Sequence, residues 1–369
     1  MTATNPPIFN RNSTLWTHRL VGVTLALLVL ATGAAAALRA LPFGAAVNAS
    51  WLNGAAAREF ENHYKADFPA TDFGTALWTA IEFRLFGTGR PGVVIGRDGW
   101  LFSEEEFRAW PQAEARLQQR LALIEAVDQR LWVQGVDLIL APLPAKARIY
   151  PDKLGERQPD LSQRLLYERL LTEMRRRHVN HVDLFGALLA CSHEEPSFLR
   201  TDTHWTPQGA QCAARMIAAQ AQRLSHPAAY STEQLPVRAH QGDLLKYLPM
   251  APWFSQWMPE PDRYRPLQSR AAGSGDLLGD APLPDTVLIG TSYSEDRRWN
   301  FEGALSQALG EPVLNFAERG VGPYLPMLRW LQALEQGTAA SGVPRQVIWE
   351  LPERYLLAPE RIASSRLAD

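Results

Sequence analysis

The sequence predicts an α/β fold, a three-layer sandwich with a parallel sheet between two layers of helices, and three observations carry that prediction. From residue 286 onward short apolar runs alternate with helical spacing: strand 286–289, helix 297–309, strand 312–317, helix 323–335 and strand 345–350. A β-α-β-α-β order of this kind implies parallel neighbours with helices on the sheet faces. A second stretch repeats the pattern. Leu117, Leu121, Ile124, Val127 and Leu131 recur at helical spacing over 113–132, Gly135 ends the run, and Val136–Ala141 follows as an apolar strand. Third, 369 residues at 46% hydrophobic and 21% charged are enough to bury a full core.

The N-terminus is different in kind. Leu20–Leu38 contains no charged residue, and at a rise of about 1.5 Å per residue it reaches about 28 Å, one hydrocarbon thickness. Arg11 and Arg19 precede it, and no acidic residue occurs before Glu59. That bias predicts a cytoplasmic segment over 1–19, an anchor over 20–38 and a translocated body. A cleaved signal, with Ala34-Ala35-Ala36 as the processing site, is the alternative, although the apolar run exceeds the usual ~7–15 residue core of such signals. Residues 39–58 are Ala/Gly-rich and read as a tether, leaving 59–369 as one large domain.

Within that domain, residues 59–87 are amphipathic with a break at Pro69–Asp72. Two apolar runs around Asp98-Gly99 predict a hairpin over 93–102. The loop Pro142–Lys146 leaves the carboxyl end of a strand, where open α/β sheets bind ligands; Lys146 there either faces the cleft or forms a structural ion pair. A helix over 161–177 and a short strand over 181–184 follow. Thr206-Pro207 supplies a cap and first-turn pair for a helix to about 224. Residues 225–284 lose periodicity, gain Pro, Gly and Ser, and carry Trp253, Phe254, Trp257 and Tyr264. A stretch this long reads as an insertion over the cleft.

Composition excludes some functions. Lys and Arg number 37 against 39 Asp and Glu, a net charge of -2, so no basic stripe points to nucleic acid. No Cys/His spacing resembles a zinc site. Twelve tryptophans and nine tyrosines serve either core packing or sugar stacking. The two cysteines, Cys191 and Cys212, are either a disulfide permitted by an oxidising compartment or two buried thiols.

The stretch with the most chemistry is Arg200-Thr201-Asp202-Thr203-His204-Trp205-Thr206-Pro207. In extended backbone residues two apart share a face, so Asp202 can orient the His204 imidazole. The missing nucleophile is offered by Gly290-Thr291-Ser292-Tyr293-Ser294, where the strand Val287-Leu288-Ile289 runs into a Gly-x-Ser turn. A serine needs an adjacent base, and a strand-to-helix elbow exposes it beside backbone N–H groups. Ser292 is the first candidate and Ser294 the second.

These motifs resemble the AlgX/AlgJ family of polysaccharide O-acetyltransferases, closest to its AlgJ branch. The likeness extends to Gly96–Phe102, Pro142–Lys146, Asn315–Tyr324 and Trp349–Arg354. The resemblance implies an SGNH-hydrolase-like domain with circularly permuted motif order, since the Asp-x-His stretch here precedes the serine. It further implies Ser292 as nucleophile, His204 as general base and acid, and Asp202 as its orienting carboxylate. The N–H groups of Ser292 and Gly320 would serve the oxyanion, and Lys146, Trp205, Tyr293, Arg319 and Tyr324 would contact substrate. The SGNH asparagine has no counterpart, because Trp349-Glu350 occupy that strand end. The family implies no cofactor or metal in this chain: a membrane-bound acyltransferase partner would deliver acetyl groups to a periplasmic, inner-membrane-anchored enzyme acting on an exopolysaccharide such as alginate. An anchored carbohydrate acetylesterase with the same triad, or a non-catalytic exopolysaccharide-assembly protein, are the alternatives.

Overall fold

The computed structural model describes residues 11–40, 53–68, 71–221, 230–271 and 283–359. They form two compact units, one containing residues up to Leu85 with Pro249–Trp257, the other Phe86–Leu248 with Met258 onward.

The first unit holds helices α1 (Arg11–Ala40), α2 (Ala55–Asp67) and α3 (Thr71–Ile81). Within α1, Arg19–Arg39 has a mean hydropathy of 2.2 and is long and apolar enough to cross a membrane. The hydroxyls of Thr24 and Thr32 donate to the carbonyls of Leu20 and Leu28 (both 2.8 Å), so neither polar group in this stretch lacks an acceptor. Helix α2 begins at Ala55, inside the stretch expected to be a tether, and residues 41–52 of that stretch lie outside the described residues. Of the break expected over Pro69–Asp72, Thr71 and Asp72 open α3, and Pro69 and Ala70 lie outside the described residues. Trp253, Phe254 and Trp257, expected over the cleft, belong to this unit: Trp253 meets Phe73 edge-on at 5.7 Å and the Arg84 guanidinium sits 5.8 Å above Trp257.

The second unit opens with the expected hairpin, β1 (Val93–Ile95) against β2 (Leu101–Ser103), turned by Asp98 and Gly99 at positive φ (54° and 73°). In chain order there follow α4 (Ala113–Val133), β3 (Asp137–Leu143), α5 (Lys146–Ile149), α6 (Leu161–Arg176), α7 (Phe185–Ser192) and α8 (Pro207–Gln220). Two antiparallel ribbons occupy the described part of the 225–284 stretch. In one, β4 (Tyr230–Gln234) pairs with a later strand; in the other, β5 (Arg238–His240) pairs with β6 (Asp262–Tyr264). The partner of β4 is β7 (Leu267–Ala271); residues 222–229 and 272–282 lie outside the described residues. The chain ends its regular structure with β8 (Thr286–Ile289), α9 (Ser292–Glu295), α10 (Phe301–Leu309), β9 (Val313–Asn315), α11 (Tyr324–Glu335) and β10 (Gln346–Pro352).

Four strands make one parallel sheet in the order β3-β10-β8-β9, with Gln346 opposite both Asp137 and Thr286. Strand residues alternate between the two faces, as a period of two requires. Ile139, Ala141, Leu143, Leu288 and Ile348 pack with Leu188 of α7, Ala210 and Ile217 of α8, and Leu305 of α10. Leu138, Leu140, Val287, Ile289, Val347 and Trp349 pack with Leu121 and Ile124 of α4, Leu166 and Leu170 of α6, and Leu331 of α11. The three-layer parallel sandwich is therefore as expected.

Two elements differ from expectation. The strand over 181–184 shrinks to one bridge between His181 and Leu140, because side chains take the next backbone donors: the Leu184 N–H donates to the Tyr167 hydroxyl and the Phe185 N–H to Asp183. The helix over 297–309 starts at Phe301, since Asn300 adopts a left-handed φ of 54° after a short turn capped by Asp296. Cys191 and Cys212 are joined, with Cα atoms 6.7 Å apart, tying α7 to α8 across 21 residues that include the Asp-x-His stretch. Replacing both cysteines with serine should lower the unfolding free energy by about 3 kcal/mol, read by urea denaturation of oxidised protein against the double variant.

Candidate active site

The serine turn is built by a close approach. Strand β8 ends at Ile289, and Gly290 passes so near Glu350 of the adjacent β10 that a Cβ there would collide with its carboxylate. That carboxylate accepts from the Thr291 N–H (2.7 Å), from the Thr291 hydroxyl (3.0 Å) and from the Ser294 hydroxyl (3.0 Å). Ser294 is thereby committed to Glu350, leaving Ser292 as the serine that meets the imidazole. Burial raises the Glu350 carboxyl above its ordinary value against the pull of these donors. The strand end that lacks the SGNH asparagine thus carries a carboxyl group that braces the turn.

The Asp-x-His stretch is held from every side. Asp202 is buried, and its Oδ1 accepts from His204 Nδ1 (2.6 Å) and from the His204 N–H (2.9 Å). Its Oδ2 accepts from His240 Nε2 (2.7 Å) and from the Asp243 N–H (3.0 Å). Arg298 donates to Nδ1 of His240 (3.3 Å), which assigns that ring's proton to Nε2. Burial alone would raise the Asp202 carboxyl, but the hydrogen bonds from His204 and His240 outweigh it and hold the group well below the usual carboxylate range. Asp262 of β6 accepts from the N–H groups of Arg200 (3.0 Å) and Thr201 (2.9 Å), and Asp243 accepts from that of Thr203 (2.8 Å). The carbonyls are held by the ammonium of Lys146, which donates to Leu101 (2.6 Å), Arg200 (2.9 Å) and Asp202 (3.0 Å).

These two assemblies meet. The Ser292 hydroxyl lies 2.8 Å from Nε2 of His204, whose Nδ1 faces Asp202. The imidazole sits between Tyr293 (4.8 Å) and Trp299 (5.7 Å, planes 24° apart), which fixes its rotamer. Chemically this is a hydroxyl, a base that can take its proton and a carboxylate that sets the base's tautomer. Atoms of Asp202, His204 and Asp243 also fall within 4.8 Å of one another, the spacing of a metal cluster. Their hydrogen-bonding capacity is already directed at each other and at Thr203, so the set suits proton handling better than cation binding.

Other expected contacts are placed differently. Lys146 neither faces a cleft nor forms an ion pair: it is 1% exposed and fills its three donor positions with carbonyls. Burial pulls its ammonium down to about 8, opposed by the nearby Glu106, Asp262 and Asp202. Trp205 is fully buried, with Nε1 donating to the Tyr293 carbonyl (3.1 Å) and its ring 4.6 Å from Phe301. The Tyr293 hydroxyl donates to the Thr203 carbonyl (2.6 Å), binding the serine turn to the histidine segment. All three position the site from beneath and are not substrate contacts. Arg319 pairs with Glu295 (3.0 Å) and Asp296 (2.7 Å). Gly320, at φ 81°, and Tyr324 line a cavity wall. His240, Asp243 and Asp262 are functional-site residues absent from the sequence expectations; a Gly-Asp pair at 242–243 was the only local signal.

Two outcomes test this packing. A carboxyl whose folded pKa is depressed contributes stability that is complete above its unfolded pKa near 3.8 and is lost as pH falls through lower values. Asp202→Asn should accordingly flatten the acid limb of a stability-versus-pH curve below about pH 4. Glu350→Ala leaves a buried Thr291 N–H without its acceptor and should cost about 1–3 kcal/mol, measured by chemical denaturation.

Comparison with known proteins agrees with this architecture. Residues 93–353 match the family model described as an SGNH hydrolase-like domain, acetyltransferase AlgX. The chain is 44% identical over 323 residues to a probable alginate O-acetylase AlgJ of Azotobacter vinelandii, covering 85% of this chain and 82% of that protein. It is 42% identical over 334 residues to the corresponding AlgJ of Pseudomonas aeruginosa, covering 86% and 84%. The solved O-acetyltransferase domain of Pseudomonas putida AlgJ superposes with a TM-score of 0.67 at 40% identity, covering 74% of this chain and 95% of that one. With the matched span containing Asp202, His204 and Ser292, the chain belongs to the AlgX/AlgJ family of SGNH-hydrolase-like acetyltransferases.

Proposed function

We propose that this protein is an anchored O-acetyltransferase that moves acetyl groups onto hydroxyls of an exopolysaccharide of the alginate type, through an acetyl-serine on Ser292. The observation that carries the mechanism is the 2.8 Å approach of the Ser292 hydroxyl to His204 Nε2, with Asp202 on the far nitrogen at 2.6 Å. In the first half-reaction His204 takes the Ser292 proton as Oγ bonds to the acetyl carbon. The bond to the donor's leaving group then breaks, and the leaving group departs with the proton held on His204. In the second, His204 removes a proton from a sugar hydroxyl, whose oxygen bonds to the acetyl carbon while the Ser292 ester bond breaks and Oγ recovers the proton. The Ser292 and Gly320 N–H groups are the proposed oxyanion donors.

The rest of the reading concerns supply and place. The apolar α1 would anchor the enzyme in the inner membrane with its catalytic unit in the periplasm, where the Cys191–Cys212 bond is compatible with an oxidising environment. A membrane-bound acyltransferase would hand over acetyl groups, so that this chain needs no cofactor. Support for the polymer class comes from the names carried by its relatives, alginate O-acetylases.

Ser292→Ala should abolish polymer acetylation, and the unaltered protein briefly exposed to an activated acetyl ester should gain about 42 daltons on the peptide containing Ser292. Acetylation persisting in the alanine variant would exclude this mechanism. His240→Phe keeps a ring but removes one donor from Asp202, and turnover should fall about ten- to hundredfold. His240→Gln, whose amide can reach the same oxygen, should recover part of that loss.

A further inference from the structure

The first unit carries apolar surface that the transferase chemistry does not use. Phe73, Leu77, Trp78 and Leu85, with Trp253 and Trp257, are each between 38% and 73% exposed. The aromatic members form connected surface: Phe73 meets Trp253 at 5.7 Å and Phe254 at 6.2 Å, and Phe254 stacks on Trp257 at 5.3 Å. Leu77 lies one helical turn after Phe73, on the same side of α3. Trp78 has its polar tip occupied, since Nε1 donates to Glu82 (2.8 Å), and offers the rest of its ring. Continuous apolar area of this kind marks a surface that meets a partner or a membrane.

The helices of the same unit indicate which. In α1 the residues from Arg19 to Ala31 are exposed, whereas Thr32, Gly33, Ala35, Ala36 and Ala37 are partly or fully covered. Helix α2 packs there, with the Tyr64 hydroxyl 3.7 Å from where a side chain on Gly33 would begin. Phe60, Tyr64 and Phe68 stack in a row one turn apart (5.9 and 5.8 Å), while Arg58, Glu59, Glu61 and His63 are exposed. Gly33 lies six residues inside the Arg39 end of the apolar span, about 9 Å at a rise of about 1.5 Å per residue. That depth is the boundary between headgroups and acyl chains, where tryptophan and tyrosine concentrate and amphipathic helices settle about 5–10 Å in. The Thr71 N–H donates to the Phe68 carbonyl (3.0 Å), so α3 starts where this interfacial helix stops. Arg84, exposed and 5.8 Å above the Trp257 ring, places a cation for a lipid phosphate beside the aromatics.

We propose that the aromatic face formed by α3 and Pro249–Trp257 is seated in the lipid interface, so that two attachments, the α1 span and this face, hold the first unit to the bilayer. The inference rests on the reading of α1 as a membrane span and adds a second surface to it. Because Cys191 and Cys212 are bonded to each other, single introduced cysteines can be labelled with a nitroxide. Full-length protein carrying Leu77→Cys, Trp253→Cys, Val29→Cys or Gln118→Cys would be reconstituted in vesicles of phosphatidylethanolamine and phosphatidylglycerol. Electron paramagnetic resonance then reads the access of oxygen and of a nickel chelate to each label, with a thermal melt confirming that each variant is folded. Val29, in the middle of the span, is the lipid reference, and Gln118, exposed on α4, is the water reference. Nickel access at 77 and 253 should be at least about tenfold below that at 118, because a polar complex is excluded from the acyl boundary. Access at either position equal to that at 118 overturns the proposal and points to a protein absent from the vesicles as the occupant. Spin–spin broadening at 77 or 253, the mark of a second copy on this face, also overturns it. The two readings fail separately: a shielded label at 29 with open labels at 77 and 253 keeps the anchor and removes the face. A label at 29 that is open to nickel removes both.

Discussion

The second unit is arranged so that one carboxylate, Asp202, is completely occupied. Both of its oxygens accept two hydrogen bonds, from two imidazoles and two backbone N–H groups. A buried charge is tolerated only when its acceptor capacity is filled, and here the filling comes from its own segment and from the stretch 240–243. The consequence is directional. With one oxygen tied to His240 and Asp243, the other can present itself only to His204, which turns the opposite ring nitrogen toward Ser292. Geometry at the Ser292 hydroxyl is thus decided by donors that never touch it.

Much of this was legible in the sequence because the motifs are local. Asp202 and His204 lie two apart, and Ser292 follows an apolar strand, so period and turn chemistry point to each of them directly. The sheet was legible for the same reason: its strands are apolar runs between amphipathic helices. His240, Asp243 and Asp262 were not, since each is a single polar residue in a stretch without periodicity and meets its partner 38 to 61 positions away. The stretch that carries them was expected to cover the site with aromatics; it contributes three polar side chains and one of those aromatics, Tyr264, whose ring packs against His240 and Trp299. Lys146, Trp205 and Tyr293 failed in the opposite sense. Polar or amphipathic residues beside a motif suggest ligand contact, but burial of their heads against carbonyls can be seen only once the loops converge.

Glu350 shows how a familiar arrangement is rebuilt with different chemistry. At the strand end where the sequence offers no counterpart to the SGNH asparagine, a carboxyl group gathers Thr291 and Ser294 and requires glycine at position 290. The turn is then rigid through its acceptor, and Ser292 is left as the hydroxyl facing histidine. Precise placement of one oxygen depends on removing its neighbour from competition.

The order of strands in the sheet has a kinetic side. β10 is the latest of the four in sequence, yet it lies between β3 and β8 and is the hydrogen-bonded link that joins them. A chain emerging from its N-terminus has β3 available some two hundred residues before that link arrives, with only the His181 bridge to pair it. Long-range pairing of this kind delays the cooperative step and leaves unpaired strand edges open to wrong associations meanwhile. Nascent protein would accordingly depend on being shielded until its final strand slots into the middle.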